Sequence, residues 1–484
     1  MGDHADAANE RNALSRRMAS GTITSIAGQV ISQVLRLGGN LVLARMLFPE
    51  AFGLMALVNL LMWTLQSVSD VGLSAAIIRH ERGDDPRFLD TAFTVQVLRG
   101  VALWIIGTAL AVPMARLYAE PNLVELVPVA SFSAVLFGIS STKLITLARK
   151  ILPGRIVAIE IGSQIVSIVA IVAIAWWKRS VWALVIGGLL SAALRAVASH
   201  VAIPGRRDRF GWERAAVREL LEFGRWVTLG TTFNFVAFRI DLALVALLVP
   251  VDVLGVYSIA VMLSNVVREV LAQVNRLIVL PTLSTALRSG PDALPRVIGQ
   301  VRNNILPAAL AGTIAAVSLA PVLFDGLYDE RYHDAGWIAQ LSMLGVWFSY
   351  LCDMSGSTLL AIGDSRSWAI TTAFKAVATT VGCLAGHWLG GLPGLILGAA
   401  ASAIATYLLA VWQLARHRVY ILRGDLSFSA FGVVLGLLAA GLPRLLSGVT
   451  RGPVLAAWSA GVAVVMVTPL SLWALHRLRR NVEL

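Results

Sequence analysis

The sequence predicts an all-α, polytopic membrane protein of about 14 transmembrane helices. The 484-residue chain is 57% hydrophobic and only 14% charged, with a mean hydropathy of +0.75. A soluble domain exposes too much of its surface to hide so apolar a composition from water. Apolar runs of about 20 residues, enough to cross roughly 30 Å of hydrocarbon, recur along the chain. Clusters of basic residues separate alternate runs.

Windowed hydropathy places the helices in order along the chain. The first six spans lie near 20–43, 52–77, 92–115, 123–147, 154–177 and 181–203. The next six lie near 224–249, 253–283, 303–325, 336–362, 367–389 and 392–414. Two more follow near 427–446 and 453–475.

Arginine and lysine concentrate in the loops that follow even-numbered spans. Arg79, Arg82 and Arg87 follow the second span, and five arginines lie between residues 206 and 218, after the sixth. The intervening loops are mostly neutral or acidic. The positive-inside rule therefore predicts that both termini are cytoplasmic, which an even number of spans satisfies. The basic cytoplasmic loops that orient the protein in the membrane account for its net charge of +12. We therefore expect no nucleic-acid partner.

The sequence lacks the patterns that common enzymatic and metal sites require. It contains no G-x-x-x-x-G-K-[ST] and no H-E-x-x-H, and its histidines are scattered. Cys352 and Cys383 both lie within apolar runs, where two isolated thiols form no metal site. We therefore expect a protein that is not an enzyme and that uses no cofactor or metal.

Two hairpins, six spans apart, share a pattern. The first is "LFPEAFGLMAL" at 47–57 and the second is "LVPVDVLGVYSIA" at 248–260. Each contains a proline, an acid and a glycine in that order, which favours any tight turn between helices. Because the offset is an even number of spans, the repeat predicts two parallel lobes related by an axis along the membrane normal. The predicted parts are a cytoplasmic tail at 1–19, a first lobe at 20–205, a basic cytoplasmic linker at 206–223, a second lobe at 224–415, and the last two helices with a cytoplasmic tail at 416–484.

The segments around both hairpins carry a family resemblance. "ARMLFPEAFGLMALVNLL" at 44–61, followed by "SDVGLSAAIIR" at 69–79, opens the first lobe, and "FRIDLALVALLVPVDVLGVYSIAVML" at 238–263 opens the second. These segments resemble the Wzx-type oligosaccharide flippases of the multidrug/oligosaccharidyl-lipid/polysaccharide exporter superfamily. The resemblance implies two six-helix lobes around a central cavity, plus two C-terminal helices, in the bacterial inner membrane. It also implies alternating access.

The same resemblance implies a substrate and partners. The substrate is an oligosaccharide on a polyprenyl pyrophosphate, moved from the cytoplasmic to the periplasmic leaflet for O-antigen, capsule or exopolysaccharide synthesis. The expected partners are this lipid-linked substrate, membrane lipids, and the glycan polymerase and export machinery, around a monomeric transporter. Three alternatives stay open: a peptidoglycan-precursor flippase, a cation-coupled drug exporter of the same superfamily, and a non-transporting scaffold for glycan assembly.

The first span carries a polar stripe. Ser25, Gln29, Gln33, Arg36 and Asn40 follow one another at spacings of 4, 4, 3 and 4, so they share one face of a helix. Placing one arginine at mid-membrane costs about 2.5–3.5 kcal/mol on the lowest scales, so this face turns towards other helices or water. It is either a packing seam against a neighbouring helix or part of the wall of a cavity. Arg36 is the leading candidate for contact with the substrate.

The helices that open the second lobe carry further charges. Arg239 and Asp241 lie about 200° apart on the seventh span and do not share a face. A cationic, water-filled cavity suits a pyrophosphate, because arginine donors match phosphate oxygens in pairs. The candidates for substrate binding are Arg36, Arg239, Arg268, Gln29, Gln33, Asn40, Arg276, Lys143 and Lys375, and the candidates for ion coupling are Asp241, Glu269 and Asp70.

The predicted linker has an amphipathic pattern. Trp212, Ala216 and Leu220 are apolar, and Arg214 and Arg218 lie opposite them. Such a segment either lies on the anionic leaflet as a surface helix or carries its charge only for orientation.

Overall fold

The structure is a computed structural model that describes residues 2–69, 72–150, 152–288 and 294–446. Within these ranges every regular element is a helix and there is no strand, so the predicted all-α fold class is confirmed. The chain divides into two compact units, Met1–Phe235 and Val236–Leu484. The division falls inside one continuous helix, α10 (Arg214–Leu248), downstream of the predicted linker.

The first unit consists of helices joined by short connections. Its first two helices are separated only by Leu47 and Phe48, so the predicted "LFPEAFG" turn is confirmed. The helices are α1 (Gly2–Met46), α2 (Pro49–Val68), α3 (Leu73–Arg79), α4 (Pro86–Leu117), α5 (Leu123–Ser131), α6 (Ser133–Ile139), α7 (Lys143–Arg149), α8 (Pro153–Trp177) and α9 (Trp182–Val201), followed by the first part of α10.

The second unit repeats the opening hairpin, since only Val249 and Pro250 separate α10 from α11. Its helices are α11 (Val251–Val274), α12 (Leu280–Arg288), α13 (Leu294–Leu327), α14 (Ala335–Ile362), α15 (Ser365–Arg416) and α16 (Leu422–Leu446). A π-helical turn, Asn275–Val279, joins α11 to α12.

The long element α15 is two helices. Its backbone leaves helical geometry at Gly390 and Gly391, where Gly391 has φ 59° and ψ −140°. The two halves then run back against each other, because Gly386 contacts Gly394 through backbone atoms. The predicted eleventh and twelfth spans, 367–389 and 392–414, are thus two antiparallel helices joined by a tight turn.

The described residues contain nine helices long and apolar enough to cross a membrane, or ten if one bent pair counts as a span. The protein is therefore a multi-pass membrane protein. The seventh and thirteenth predicted spans coincide with α10 and α16. The fourteenth, near 453–475, lies outside the described residues.

Two predicted spans are broken, which corrects the sequence interpretation. The second, 52–77, is split between α2 and α3, where Gly72 adopts φ 59°. The fourth, 123–147, is split into α5, α6 and α7, with a bend of 59° before Lys143. Hydropathy averages over a window, so a break of three or four residues within an apolar run does not lower it enough to be seen.

Distant side chains satisfy the backbone of the second break. The Ser199 hydroxyl accepts a hydrogen bond from the Ser141 N–H at 2.9 Å. The Asp208 carboxylate accepts one from the Thr142 N–H at 3.3 Å, and it also accepts from the hydroxyls of Ser141 and Thr142. Because unpaired backbone groups are costly in a membrane, these contacts explain why the helix can break here.

The linker is tied to the first unit. Backbone N–H groups of Gly211 and Glu213 donate to the hydroxyls of Thr94 and Thr91 at 3.0 and 3.1 Å. The Glu213 carboxylate also accepts from Arg82 at 2.8 Å, and this hydrogen bond lowers the pKa of Glu213. The linker therefore follows the surface of α4 rather than hanging free.

The start of α10 packs on protein. Ala216 and Leu220 are buried in a cluster with Ile77 and Phe88 of the first unit, whereas Trp212 is 59% exposed. The apolar residues Ala216 and Leu220 of this segment are therefore covered by α3 and α4, and whether the segment also lies on the leaflet stays a prediction.

Candidate substrate and ion site

The polar stripe of α1 is not the face that packs against α8. That packing face contains Gly28, whose added Cβ would lie 2.5 Å from Val157. It also contains Ser32, whose hydroxyl donates to Gln164 Oε1 at 2.7 Å while Gln164 Nε2 donates to the Ser32 carbonyl at 2.9 Å. Small residues that let helices approach closely are the usual composition of such membrane seams.

The stripe lies one residue further along, about 100° around the helix. Arg36 and Gln29 are exposed, and Gln33 and Asn40 are partly exposed. Among the described residues Arg36 has no ion-pair partner. The stripe therefore lies beside the α1–α8 seam rather than in it, with the Arg36 side chain exposed.

The second unit brings three predicted residues together. Asp241 of α10, Arg268 of α11 and Lys375 of α15 line one pocket. Each of these side chains is partly buried. Tyr257 and Ser264 of α11 also line it. Two cations and a carboxylate thus meet inside a bundle of apolar helices, where ionisable residues commonly mark a substrate or ion path.

Two donors in this pocket have no partner in the described part of the chain. They are Arg268 Nε and the Ser264 hydroxyl, and both atoms are buried. Most buried polar atoms in proteins are hydrogen-bonded, so unpaired donors beside a pocket call for an acceptor. An anionic oxygen would satisfy both, because each group can donate a hydrogen bond.

Asp353 is a neighbour of this pocket that the sequence interpretation missed. It lies on α14, within electrostatic range of Lys375 and Arg268. The side-chain amide of Asn275 holds this part of α14, donating to the Asp353 carbonyl at 3.3 Å and to Ser357 Oγ at 2.9 Å. The sequence does contain a signal for this residue, because Asp353 is an acid in the middle of the tenth apolar span.

Arg239 does not line the pocket, although Asp241 does. This agrees with the angle of about 200° between the two positions on a helix. Arg239 remains within electrostatic range of Asp241 and Arg268. It is therefore a neighbour of the group rather than part of the pocket wall.

Arg276 and Glu269 form a separate, more exposed pair. Arg276 Nη2 donates to Glu269 Oε1 and to Gln273 Oε1, both at 2.8 Å. The Arg276 side chain is 59% exposed and that of Glu269 40%. Neither residue lines the pocket of Arg268, so the structure separates them from the three residues that meet there.

Lys143 occupies a different kind of position, in the first unit. Its Nζ donates to the carbonyls of His200 and Ile203 at 2.9 and 2.7 Å. These carbonyls lie at and just beyond the end of α9, where a cation is favoured by the helix dipole. The contacts give Lys143 a structural role in holding the end of α9. Asp70 lies outside the described residues.

Comparison with known proteins gives a family and a fold. A family profile described as polysaccharide biosynthesis protein matches residues 42–332. The lipid II flippase MurJ, in an inward closed conformation, matches with a TM-score of 0.72 and 13% identity, over 93% of this chain and 98% of that chain. An inward-facing multidrug resistance MATE family transporter of the MOP superfamily matches with a TM-score of 0.64 and 14% identity, over 83% of this chain and 99% of that one. No curated protein sequence matches the chain. At these identities the likeness concerns the fold. It confirms the helical fold that the family resemblance implied, and the count of 14 spans stays a prediction.

Proposed function

This chain belongs to the polysaccharide biosynthesis protein family, and from that premise we propose that it is a flippase. The substrate is a polyprenyl-pyrophosphate-linked oligosaccharide, which crosses from the cytoplasmic to the periplasmic leaflet by alternating access. The product serves the assembly of O-antigen, capsule or exopolysaccharide. The step moves a molecule and makes no covalent bond, so the protein acts as a transporter and not as an enzyme.

The observation that carries the proposal is the placement of cationic side chains within the predicted spans. Arg268 and Lys375 line a pocket in the second unit, and Arg36 is exposed on the polar stripe of the first. A pyrophosphate has several acceptor oxygens, and guanidinium groups bind such oxygens in pairs. A drug exporter for cations would gain nothing from this excess of basic groups.

The membrane potential supports the direction of transport. Two negative charges that move outward through a potential negative inside gain roughly 4–5 kcal/mol per 100 mV. Asp241 provides a different route, because a carboxylate in the same pocket as Lys375 offers a place where a cation or proton binds during the cycle. Transport measured with and without a sodium or proton gradient separates these two drives.

A peptidoglycan-precursor flippase is the second candidate. The observation in its favour is the extent of the likeness to the lipid II flippase, which covers nearly the whole of both chains. The two candidates carry the same pyrophosphate and differ in the sugar, so the cationic groups serve either. Rescue of cells that lack their own lipid II flippase therefore tests which sugar the protein transports. It does not test the role of the cationic pocket.

The deciding experiment measures lipid-linked intermediates in cells depleted of this protein. Polyprenyl-linked oligosaccharides are extracted and identified by mass spectrometry, before and after rescue with wild type, Arg36→Ala or Arg155→Ala. Arg155 is the control, an exposed arginine near the start of α8. We expect one complete repeat unit to accumulate, and wild type and the control to clear it better than Arg36→Ala. If no intermediate accumulates, the flippase assignment is wrong, and the scaffold interpretation gains weight.

A further inference from the structure

A second polar pocket lies wholly within the first unit and contains none of the residues assigned to substrate binding. Arg99 of α4 and Arg195 of α9 line it, together with Gln66, Gln96 and Ser140. None of the described residues that line it is acidic. The pocket therefore presents two guanidinium groups among uncharged hydrogen-bonding groups.

The pocket lies between the two broken spans. Leu73 and Ser74, just after the first break, form one part of its wall, and Ser140 and Ser141, at the second break, form another. Irregular backbone at membrane depth is stable only where it is buried in protein or lines a water-filled cavity. Transporters build sites for ions and charged substrates from such interrupted helices. Residues beside both breaks therefore line one polar pocket, which is the kind of place where interrupted helices hold charged ligands.

Hydrogen bonds fix the walls of the pocket. Gln96 Nε2 donates to the carbonyls of Phe137, Gly138 and Ser140 at 3.0–3.1 Å. Arg99 is positioned by its own contacts, since its Nε donates to Ser69 Oγ at 3.0 Å and its Nη2 donates to the Gln66 carbonyl at 2.8 Å. The polar groups are thus pre-positioned, which lowers the entropic cost of binding a ligand.

Arg195 is the more adjustable of the two cations. Its Nη2 lies 3.6 Å from Glu160 Oε1, and the Glu160 side chain is 51% exposed. Its guanidinium carbon lies 5.6 Å from the centre of the Phe137 ring. Ion pairs with an exposed carboxylate contribute little, typically under about 1 kcal/mol. An anion inside the pocket can therefore recruit Arg195 without breaking a strong interaction.

We propose that this pocket binds a phosphate-bearing group. Arg99 lies roughly 20 Å along α4 from Pro86, at 1.5 Å per residue, and so within the predicted third span. At this depth a pair of guanidinium groups favours a ligand with several anionic oxygens, which it binds in bidentate geometry. A bilayer phospholipid and free inorganic pyrophosphate both supply this chemistry. The proposal concerns binding alone and stands whether or not the protein is a flippase.

The test uses the purified full-length protein carrying Arg268→Gln, which weakens anion binding at the pocket of the second unit, where Lys375 remains. Titration calorimetry measures binding of inorganic pyrophosphate, and native mass spectrometry measures binding of phosphatidylglycerol. Each is repeated with Arg195→Gln added and, as the matched control, with Arg155→Gln added. We expect Arg195→Gln to weaken binding at least about tenfold, the effect of losing a charged hydrogen bond. The control should change it less than about twofold.

The two ligands separate the sources of the phosphate. Sensitivity of pyrophosphate binding to Arg195→Gln identifies a free anion as the ligand, and sensitivity of phosphatidylglycerol binding alone identifies a lipid headgroup. Arg195→Lys keeps the charge but loses bidentate geometry, so it should bind with intermediate strength and serves if Arg195→Gln does not fold. The proposal is wrong if neither ligand binds, or if the Arg195 variants bind both as tightly as the Arg155 control.

Discussion

Arg302 on α13 and Asp425 on α16 form an ion pair inside the second unit, with side chains only 5% and 2% exposed. Arg302 Nη2 also donates to Ser355 Oγ at 2.9 Å, and the Tyr407 hydroxyl donates to the Asp425 carboxylate at 2.7 Å. One network therefore joins α13, α14, α15 and α16. It fixes the thirteenth predicted span to the core of the second unit.

Asp425→Ala should destabilise the second unit by about 3–5 kcal/mol, because it leaves the Arg302 guanidinium buried without its counter-charge. The double variant Arg302→Met with Asp425→Leu should recover much of this loss, since no buried charge then remains. Thermal and denaturant unfolding of the purified protein measure both. Asp252→Ala, at an exposed acid at the start of α11, is the control. Equal stability of Asp425→Ala and this control would contradict a structural role for the pair.

Lys143→Met should reduce stability by about 1.5–3 kcal/mol, because the two carbonyls at the end of α9 lose a charged donor. Lys150→Met is the matched control, since the Lys150 side chain is 60% exposed and should change stability little. The unfolding midpoint of each purified variant gives the comparison. A fully stable Lys143→Met that no longer clears the lipid-linked intermediate would instead return Lys143 to the substrate site.

Arg268→Gln should lower transport about tenfold or more. The substitution removes the charge of a guanidinium that lines the same pocket as Lys375 and whose buried Nε has no partner in the described part of the chain. Arg276→Gln should have a smaller effect, since Arg276 is exposed and pairs with Glu269 at the surface. The two variants differ in burial and share residue type and helix region, so each controls for the other. Clearance of the accumulated intermediate in depleted cells is the readout. A larger defect for Arg276→Gln would overturn the assignment of the pocket.

Gly391→Ala should destabilise the hairpin of the eleventh and twelfth spans by about 1–3 kcal/mol, because φ 59° with ψ −140° strains any residue with a Cβ. Gly390→Ala is the internal control. Gly390 has φ −155°, an extended value, and a Cβ there meets no atom within 4 Å. Unfolding of the two variants in the same detergent makes the test. The backbone assignment fails if Gly390→Ala is the more damaging change.

Asp364→Ala should show a pH-dependent loss of stability. The Ser367 N–H, the Ser367 hydroxyl and His417 hydrogen-bond the Asp364 carboxylate and lower its pKa to about 2. A depressed carboxylate pKa stabilises the fold above the unfolded value of 3.8 and loses this effect as the pH falls towards 2. The difference in melting temperature between wild type and Asp364→Ala should therefore be full at pH 6 and shrink below pH 4. A difference that grows on acidification would contradict this.

Some residues of the candidate site can be recognised from the sequence alone. The free-energy cost of a charge in hydrocarbon depends only on the residue's own position within an apolar span. Arg36, Asp241, Arg268 and Lys375 are recognisable as unusual wherever their helices pack. The same rule applied to every span would have found Asp353, Arg99 and Arg195 as well. The rule does not predict which of these charged residues lie together in the folded protein. Lys143 and Lys375 look alike in sequence, yet one holds the end of a helix and the other lines a pocket.

By itself the sequence determined that the chain is a helical, multi-pass membrane protein, where most of its helices lie, and where its two repeated hairpins turn. Hydropathy over about 20 residues and the residues of a tight turn are properties of adjacent positions. Tertiary structure alone decided where the second and fourth spans break, which charges share a pocket, and that the linker lies on α4. Those outcomes depend on partners far along the chain, as when the Asp208 carboxylate accepts a hydrogen bond from the Thr142 hydroxyl at the break. Each outcome depends on which polar groups the fold brings within hydrogen-bonding distance of one another.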